Sequence, residues 1–362
     1  MPVFTQAEYD QQLTLKTELT QAEFTEFSPP ALEVFPSPLK NFRMRAEFKV
    51  WHCKTSNQAQ YAMHKPGVSK QAFTIDTFPI ASTMINSLMP ALLDEVNSDE
   101  TLKRKLFQAE FLSSTLNEAL ISLIYHKPLD ETWESKAKAL SAKLNCSIIG
   151  RSRKQKCLIG NDFIYEEFKI AEQNFRYQQV ENSFTQPNAS VCEKMLNWAS
   201  DASKALKGDL LELYCGNGNF TLPLSKNFSK VLATEISKTS VKSAIHNLTI
   251  NNIHNVAIAR MSSEEFTQAL NRERAFRRLK DIDLDSYAFS TIFVDPPRAG
   301  LDPATEQLAA RFDNILYVSC NPATLKANLG HFCKTHKIER FALFDQFPYT
   351  EHRECGVLLK RL

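Results

Sequence analysis

Hydrophobic positions along the chain change rhythm twice. Residues 1–27 set Tyr9, Leu13, Leu15 and Leu19 among many polar groups, a helical texture that Ser28-Pro29-Pro30 ends. From 33 to about 80 the runs are short and β-like. Within 42–51, Phe42, Met44, Ala46, Phe48 and Val50 alternate with Arg43, Arg45, Glu47 and Lys49, which predicts a strand with one apolar and one basic face. Helices are predicted over 81–97 and 102–107, and strands within 111–125 and 146–158. Residues 163–180 read as a charged, β-leaning connector. After Asn182, helical and strand runs alternate at the spacing of βαβ units, which predicts a parallel sheet covered on both faces. The boundary falls near 175–185, giving a mixed α+β domain over 1–180 and an α/β domain over 181–362.

Chemistry concentrates at the ends of the second domain's strands. Residues 209–220 form a short apolar strand that feeds a loop carrying Gly216 and Gly218, where a backbone can approach a ligand closely. The spacing is neither GxGxxG nor GxxxxGK[ST], which argues against dinucleotide and triphosphate sites. The next strand ends in Glu235 about twenty residues on, where a carboxylate can accept both ribose hydroxyls of a nucleoside cofactor. A further strand ends in Asp295-Pro296-Pro297-Arg298, a rigid wall suited to a planar base, without the aromatic that amino-methylating enzymes place after the prolines. Residues 315–322 read Ile-Leu-Tyr-Val-Ser-Cys-Asn-Pro, so Cys320 lies just past a strand end, where a thiol is a candidate nucleophile.

Composition narrows the class. Lys and Arg total 43 against 41 Asp and Glu, so any case for nucleic acid rests on local clusters, at 151–156 and 272–280. The eight cysteines include no CxxC, which argues against a cysteine-bound metal, and their spacing is not that of a disulfide framework. With no leader and no long apolar run, the expectation is a soluble, cytoplasmic protein without metal or membrane contact, acting as a monomer.

Five segments together resemble the S-adenosylmethionine-dependent uracil-C5 methyltransferases of RNA: Phe-Thr-Gln-Pro-Asn at 184–188, Leu-Tyr-Cys-Gly-Asn-Gly-Asn-Phe at 213–220, Val-Asp-Pro-Pro-Arg at 294–298, Ser-Cys-Asn-Pro at 319–322, and His-Arg-Glu-Cys-Gly-Val at 352–357. The resemblance implies a Rossmann-like class I methyltransferase domain preceded by an α+β RNA-binding domain. It assigns Cys320 as the nucleophile, Glu354 as the base, and Gln186, Tyr214, Gly216, Asn219, Glu235 and Asp295 to the cofactor. Residues 43–48 and the overall length resemble the branch that acts on uridine 54 in the T-loop of tRNA, with the T-arm-like loop of transfer-messenger RNA as a second substrate. The rivals are ribosomal RNA uracil methylation and a noncatalytic tRNA-remodelling module. Arg43, Arg45 and the 151–156 cluster are candidates for phosphate contact, and Phe107 for stacking in place of an extruded base. The bland alternatives are salt-bridged surface cations, a core Phe107 and Tyr214, a helix-capping Gln186 and a surface Glu354.

Overall fold

The computed structural model of the chain describes residues 5–64 and 72–362. It divides into two compact units, one of residues up to 39 with 167–178 and 190–362, the other of 40–166 with 179–189.

The second of these is a seven-stranded sheet in the order Ala72–Ile75, Ala59–His64, Arg45–His52, Leu106–Ser113, Ala119–Tyr125, Ser147–Ser152, Gln155–Ile159. Alternation in the strand Arg45–His52 holds: Ala46, Phe48 and Val50 are buried at 5% exposure or less, and Glu47 is exposed. One pair, Ala119–Tyr125 with Ser147–Ser152, is parallel and needs a crossover. Helix Glu131–Leu144 supplies it, capped by the Asp130 carboxylate on Trp133 N, with Trp133, Ala137 and Leu140 buried on one stripe. The charged residues between those positions hid this helix from the pattern reading. Residues 102–107, expected to be helical, instead end a short helix at Lys103 and open the strand Leu106–Ser113 after a left-handed turn at Lys105.

The other unit holds an eight-stranded sheet in the order Glu33–Phe35, His336–Phe344, Glu354–Arg361, Asn314–Ser319, Phe289–Val294, Asp209–Leu213, Val231–Thr234, Val256–Ala259. Every pairing is parallel except the two made by Glu354–Arg361, which is antiparallel to both neighbours. Strands buried throughout, such as Asp209–Leu213 and Val231–Thr234, fit a sheet covered on both faces.

The amino-terminal segment belongs to this unit and not to the α+β unit, as the expected division at 180 would have it. Strand Glu33–Phe35 pairs with His336–Phe344, and helix Gln6–Phe24 buries Lys16 against Asp345. Of the apolar positions in its pattern, Tyr9 is buried but Leu15 and Leu19 are half exposed, and Lys16, Thr20 and Phe24 are buried beside Tyr9. No helix among the described residues is long and apolar enough to cross a membrane.

Candidate active site

Strand order reverses between Asp209–Leu213 and Phe289–Val294, the central pair of the parallel run. Ligands of doubly wound sheets bind in the crevice at such a point, beyond the strands' carboxyl ends. Tyr214 to Asn219, Glu235, Asp295 and Cys320 all follow carboxyl ends of parallel strands. The antiparallel strand Glu354–Arg361 presents its amino end at the same edge, which adds Glu354.

The glycine turn is strained in favour of function. Tyr214, a bulky aromatic, sits at φ +63, and its hydroxyl donates to Ser263 Oγ at 2.7 Å. Gly216 follows at φ +57 with open space where a Cβ would stand. Glu235 is held by two backbone amides, Gly216 N to Oε2 at 3.0 Å and Ser237 N to Oε1 at 2.7 Å. Those bonds fix its carboxylate beside the open turn and leave lone pairs for further donors. Asn219 places its Nδ2 3.5 Å from Cys192 Sγ. An open αL glycine next to an oriented carboxylate fits the ribose end of a nucleoside cofactor.

Cys320 is set by its neighbours. Ser319 Oγ accepts from Asn321 N at 3.2 Å, and Asn321 caps helix Pro322–Phe332 through Ala323 N. Asn321 Nδ2 also donates to the Arg298 carbonyl at 2.9 Å, which ties the thiol's loop to the Asp-Pro-Pro-Arg wall. Arg298 Nη2 lies 2.8 Å from His352 Nδ1. Across the ladder Val318 pairs with Gly356 and Ser319 with Cys355. The ladder ends there, so Cys320 and Glu354 are the next residues beyond its last pair, and the carboxyl acts electrostatically on the thiol. Glu354 is 2% exposed, and so is not a surface residue of a charged loop.

Burial raises Glu354 well above the usual carboxylate range, with the Asp295 carboxyl adding to the effect. Asp295 itself is pushed by burial up to about 7. Two buried acids acting on one another share protons rather than ionise together. The Cys320 thiol rises to about 11, through burial first and then through Glu354 and Asp295, against the opposing pull of Arg298. Glu212 was not among the expected site residues. It is 1% exposed and raised to about 8, by burial first, with the nearby Thr221 side chain opposing and Asp295 adding to the rise. A single acid inside the apolar run Leu210–Leu213 was its signal in the sequence.

Gln186, Arg43, Arg45 and Phe107 belong to the other unit. Gln186 is partly buried in the segment before helix Ala189–Ser203, which starts two residues after Pro187. Arg45 donates from Nη1 to the Glu181 carbonyl at 2.8 Å and from Nη2 to that of Ser183 at 3.0 Å, while Arg43 Nε donates to the Arg45 carbonyl. Phe107 lies on a strand, 36% exposed, stacked on His126 at 4.3 Å with Lys49 Nζ 4.1 Å from its centroid.

A doubly wound sheet with this antiparallel strand, glycine turn and ribose-type carboxylate defines a Rossmann-like methyltransferase. The model of the family described as tRNA (uracil-5-)-methyltransferase matches residues 8–362, and the chain belongs to that family. It is 59% identical over 356 residues to a tRNA/tmRNA (uracil-C(5))-methyltransferase of Saccharophagus degradans and 58% identical over 353 to one of Teredinibacter turnerae, each alignment covering 98% of this chain and 97% of the relative. Among solved structures, the tRNA (uracil-54, C5)-methyltransferase of Pyrococcus abyssi in complex with S-adenosyl-L-homocysteine superposes with a TM-score of 0.74 at 20% identity, over 97% of this chain and 83% of that one. At that identity the likeness establishes a shared fold.

Proposed function

We propose that this enzyme methylates carbon 5 of uridine 54 in the tRNA T-loop, using S-adenosylmethionine, and acts likewise on the T-arm-like loop of transfer-messenger RNA. The observation that carries the reading is a thiol and a buried carboxyl at the end of one antiparallel ladder, Cys320 and Glu354 each following the last pair Ser319–Cys355 and acting on one another electrostatically, at the edge where Gly216 and Glu235 form a nucleoside cradle. The names of the close relatives support the substrate.

Uracil carbon 5 is too weak a nucleophile to take a methyl group unaided. Cys320, as thiolate, adds to carbon 6; its electron pair forms the S–C bond, and the C5=C6 pair moves into an enolate. Arg298 and the amino end of helix Pro322–Phe332 favour the thiolate, against burial and two carboxyls. S-adenosylmethionine supplies an electrophilic methyl group to carbon 5. Glu354 then takes the proton on carbon 5, whose bonding pair re-forms C5=C6 and expels the Cys320 thiolate. A carboxyl pair that shares one proton keeps a basic oxygen for this step, which is the use of the Asp295 neighbour. Glu235, Gly216, Tyr214, Asn219 and Asp295 would hold the cofactor. Phe107, exposed beside Lys49, is the residue we assign to RNA stacking, whereas Arg45, bound to two carbonyls, shapes its own unit.

Fluorine at carbon 5 cannot leave as a proton does, so 5-fluorouracil-substituted tRNA tests the reading. With S-adenosylmethionine it should give a slow-migrating protein–RNA species on a denaturing gel, absent with Cys320→Ala. If tRNA binds but no such species forms, covalent uracil chemistry on tRNA is excluded, and ribosomal RNA becomes the substrate to test.

A further inference from the structure

Helix Gln6–Phe24 enters the core at its carboxyl end, where Phe24 packs on Phe341, but along the rest of its length it meets its unit largely through polar side chains. Tyr9, Gln12, Lys16, Thr20 and Glu23 recur three or four residues apart and so line one stripe of the helix. The stripe faces the link 345–353 between the last two strands. Gln12 Oε1 accepts from Tyr349 N at 2.7 Å; Lys16 Nζ donates to Asp345 Oδ1 at 2.8 Å and to the Phe347 carbonyl at 2.9 Å. Arg353 donates to Thr20 Oγ1 at 3.2 Å and to Glu23 Oε2 at 2.6 Å. Tyr9 meets Tyr349 edge-on at 6.0 Å.

This is an expensive way to dock a helix. Lys16 and Asp345 are 4% and 0% exposed, and a buried ion pair contributes little net stability over apolar packing of the same shape. Tyr349 is held at φ +62, a conformation an aromatic keeps only when its surroundings over-determine it. Its hydroxyl is fixed as well, donating to the Leu39 carbonyl at 2.8 Å. Such an arrangement sets position, and the position it sets is that of the link. The link ends at Arg353, and the next residue is Glu354.

We propose that helix Gln6–Phe24 is a strap that holds the 345–353 link, and through it the Glu354 carboxyl, at the ladder end it shares with Cys320. Gln12, Lys16 and Glu23 are then positioning residues for removal of the carbon 5 proton, an inference that rests on the reading of Glu354 as the base. Cys320 is fixed separately, by Ser319 and Asn321, so loosening the strap impairs the last chemical step more than the first. In that step the C5–H pair becomes the C5=C6 bond, the proton goes to Glu354 and the S–C6 bond breaks. If the step slows, the methylated covalent species accumulates.

The test uses the full chain, unsubstituted tRNA and methyl-labelled S-adenosylmethionine, with wild type, Lys16→Met, Glu23→Gln and Glu354→Gln compared for turnover and for a labelled protein–RNA band on a denaturing gel. Lys16→Met should lower kcat roughly tenfold with KM for tRNA changed less than about twofold, and should build up the labelled band, as Glu354→Gln does. Glu23→Gln removes one charge from a partly exposed ion pair, should do the same more weakly, and decides the matter if Lys16→Met does not fold. Unchanged kcat in the strap variants, or lowered kcat without the band while Glu354→Gln shows it, overturns the strap alone. No band with Glu354→Gln overturns the assignment of the base, and the strap's role in that step goes with it.

Discussion

Glu354 and Cys320 each lie one residue beyond the Ser319–Cys355 pair that ends their ladder, because the strand Glu354 opens runs against its neighbours. In an all-parallel sheet every loop at this edge follows a carboxyl end. Reversing one strand brings an amino end, and its first side chain, to the same place. A base and a nucleophile distant in sequence are thereby set by strand register rather than by a loop.

The relationship has a measurable consequence for the thiol. Burial, then Glu354 and Asp295, push Cys320 up to about 11, so its alkylation in the ligand-free protein should rise with pH into the strongly alkaline range. Because Glu354 and Asp295 share a proton, the Glu354→Gln, Asp295→Asn double variant removes the charge that opposes the thiolate and should speed alkylation of Cys320 several-fold at pH 8. The rate is read peptide by peptide by mass spectrometry in a Cys53→Ser background, because hydrogen bonds from Ser56 and Thr55 lower Cys53 to about 6 and it reacts first. An unchanged rate would mean that the thiol does not sense the two carboxyls.

Glu212 gives a stability prediction. Its carboxyl titrates near 8 in the folded chain against an ordinary 4.5, so the folded state holds the proton more tightly than the unfolded state does. Its contribution is therefore fully present below about 4.5 and is lost as pH rises through about 8. Glu212→Gln cannot ionise. Relative to wild type it should gain stability between pH 5 and pH 9, on the order of 2 to 4 kcal/mol, by urea unfolding at several pH values. A difference that stays flat with pH refutes the assignment.

How much of this was legible in the sequence differs by element. The parallel strands, Glu235, Asp295 and Cys320 could be located because apolar runs end abruptly in polar residues. Helix Gln6–Phe24 was legible as a helix but not its buried stripe: of the apolar positions in its pattern, Tyr9 is buried while Leu15 and Leu19 are half exposed, and much of the contact is made by polar groups. Helix Glu131–Leu144 went unread because its three buried residues are diluted by charge. The reach of Arg45 to two carbonyls beyond 180 is a tertiary fact that no local pattern carries.

Gly216 separates conformational from steric demands. At φ +57 an alanine pays the left-handed penalty, roughly 1 kcal/mol, yet its Cβ meets nothing within 4 Å in the ligand-free protein. Gly216→Ala should therefore stay folded, with a melting point only a few degrees lower, while the methyl group intrudes on the cradle beside Glu235. Titration calorimetry with S-adenosylhomocysteine should show binding at least about tenfold weaker. Full affinity in the variant would place the nucleoside elsewhere.

The 151–156 cluster divides into two kinds of cation. Arg151 donates from Nε and Nη2 to the Glu181 carboxylate, which Ser122 Oγ also binds; Lys156 Nζ reaches Asp162 at 2.7 Å. Burial would raise Glu181, but Arg151 and Ser122 together hold it below the usual carboxylate range. Arg151→Gln leaves that carboxylate buried without its main partner and should cost roughly 3 kcal/mol in urea unfolding. Arg153 and Lys154 lie exposed in the turn between Ser147–Ser152 and Gln155–Ile159. If that turn touches the RNA backbone, Arg153→Gln with Lys154→Gln should leave stability unchanged and lower the slope of log affinity against log salt by about 1 to 2. Filter binding of tRNA at several salt concentrations measures the slope for both variants. A slope altered by Arg151→Gln but not by the turn variant would reverse the division between the ion pair inside the unit and the contact with RNA.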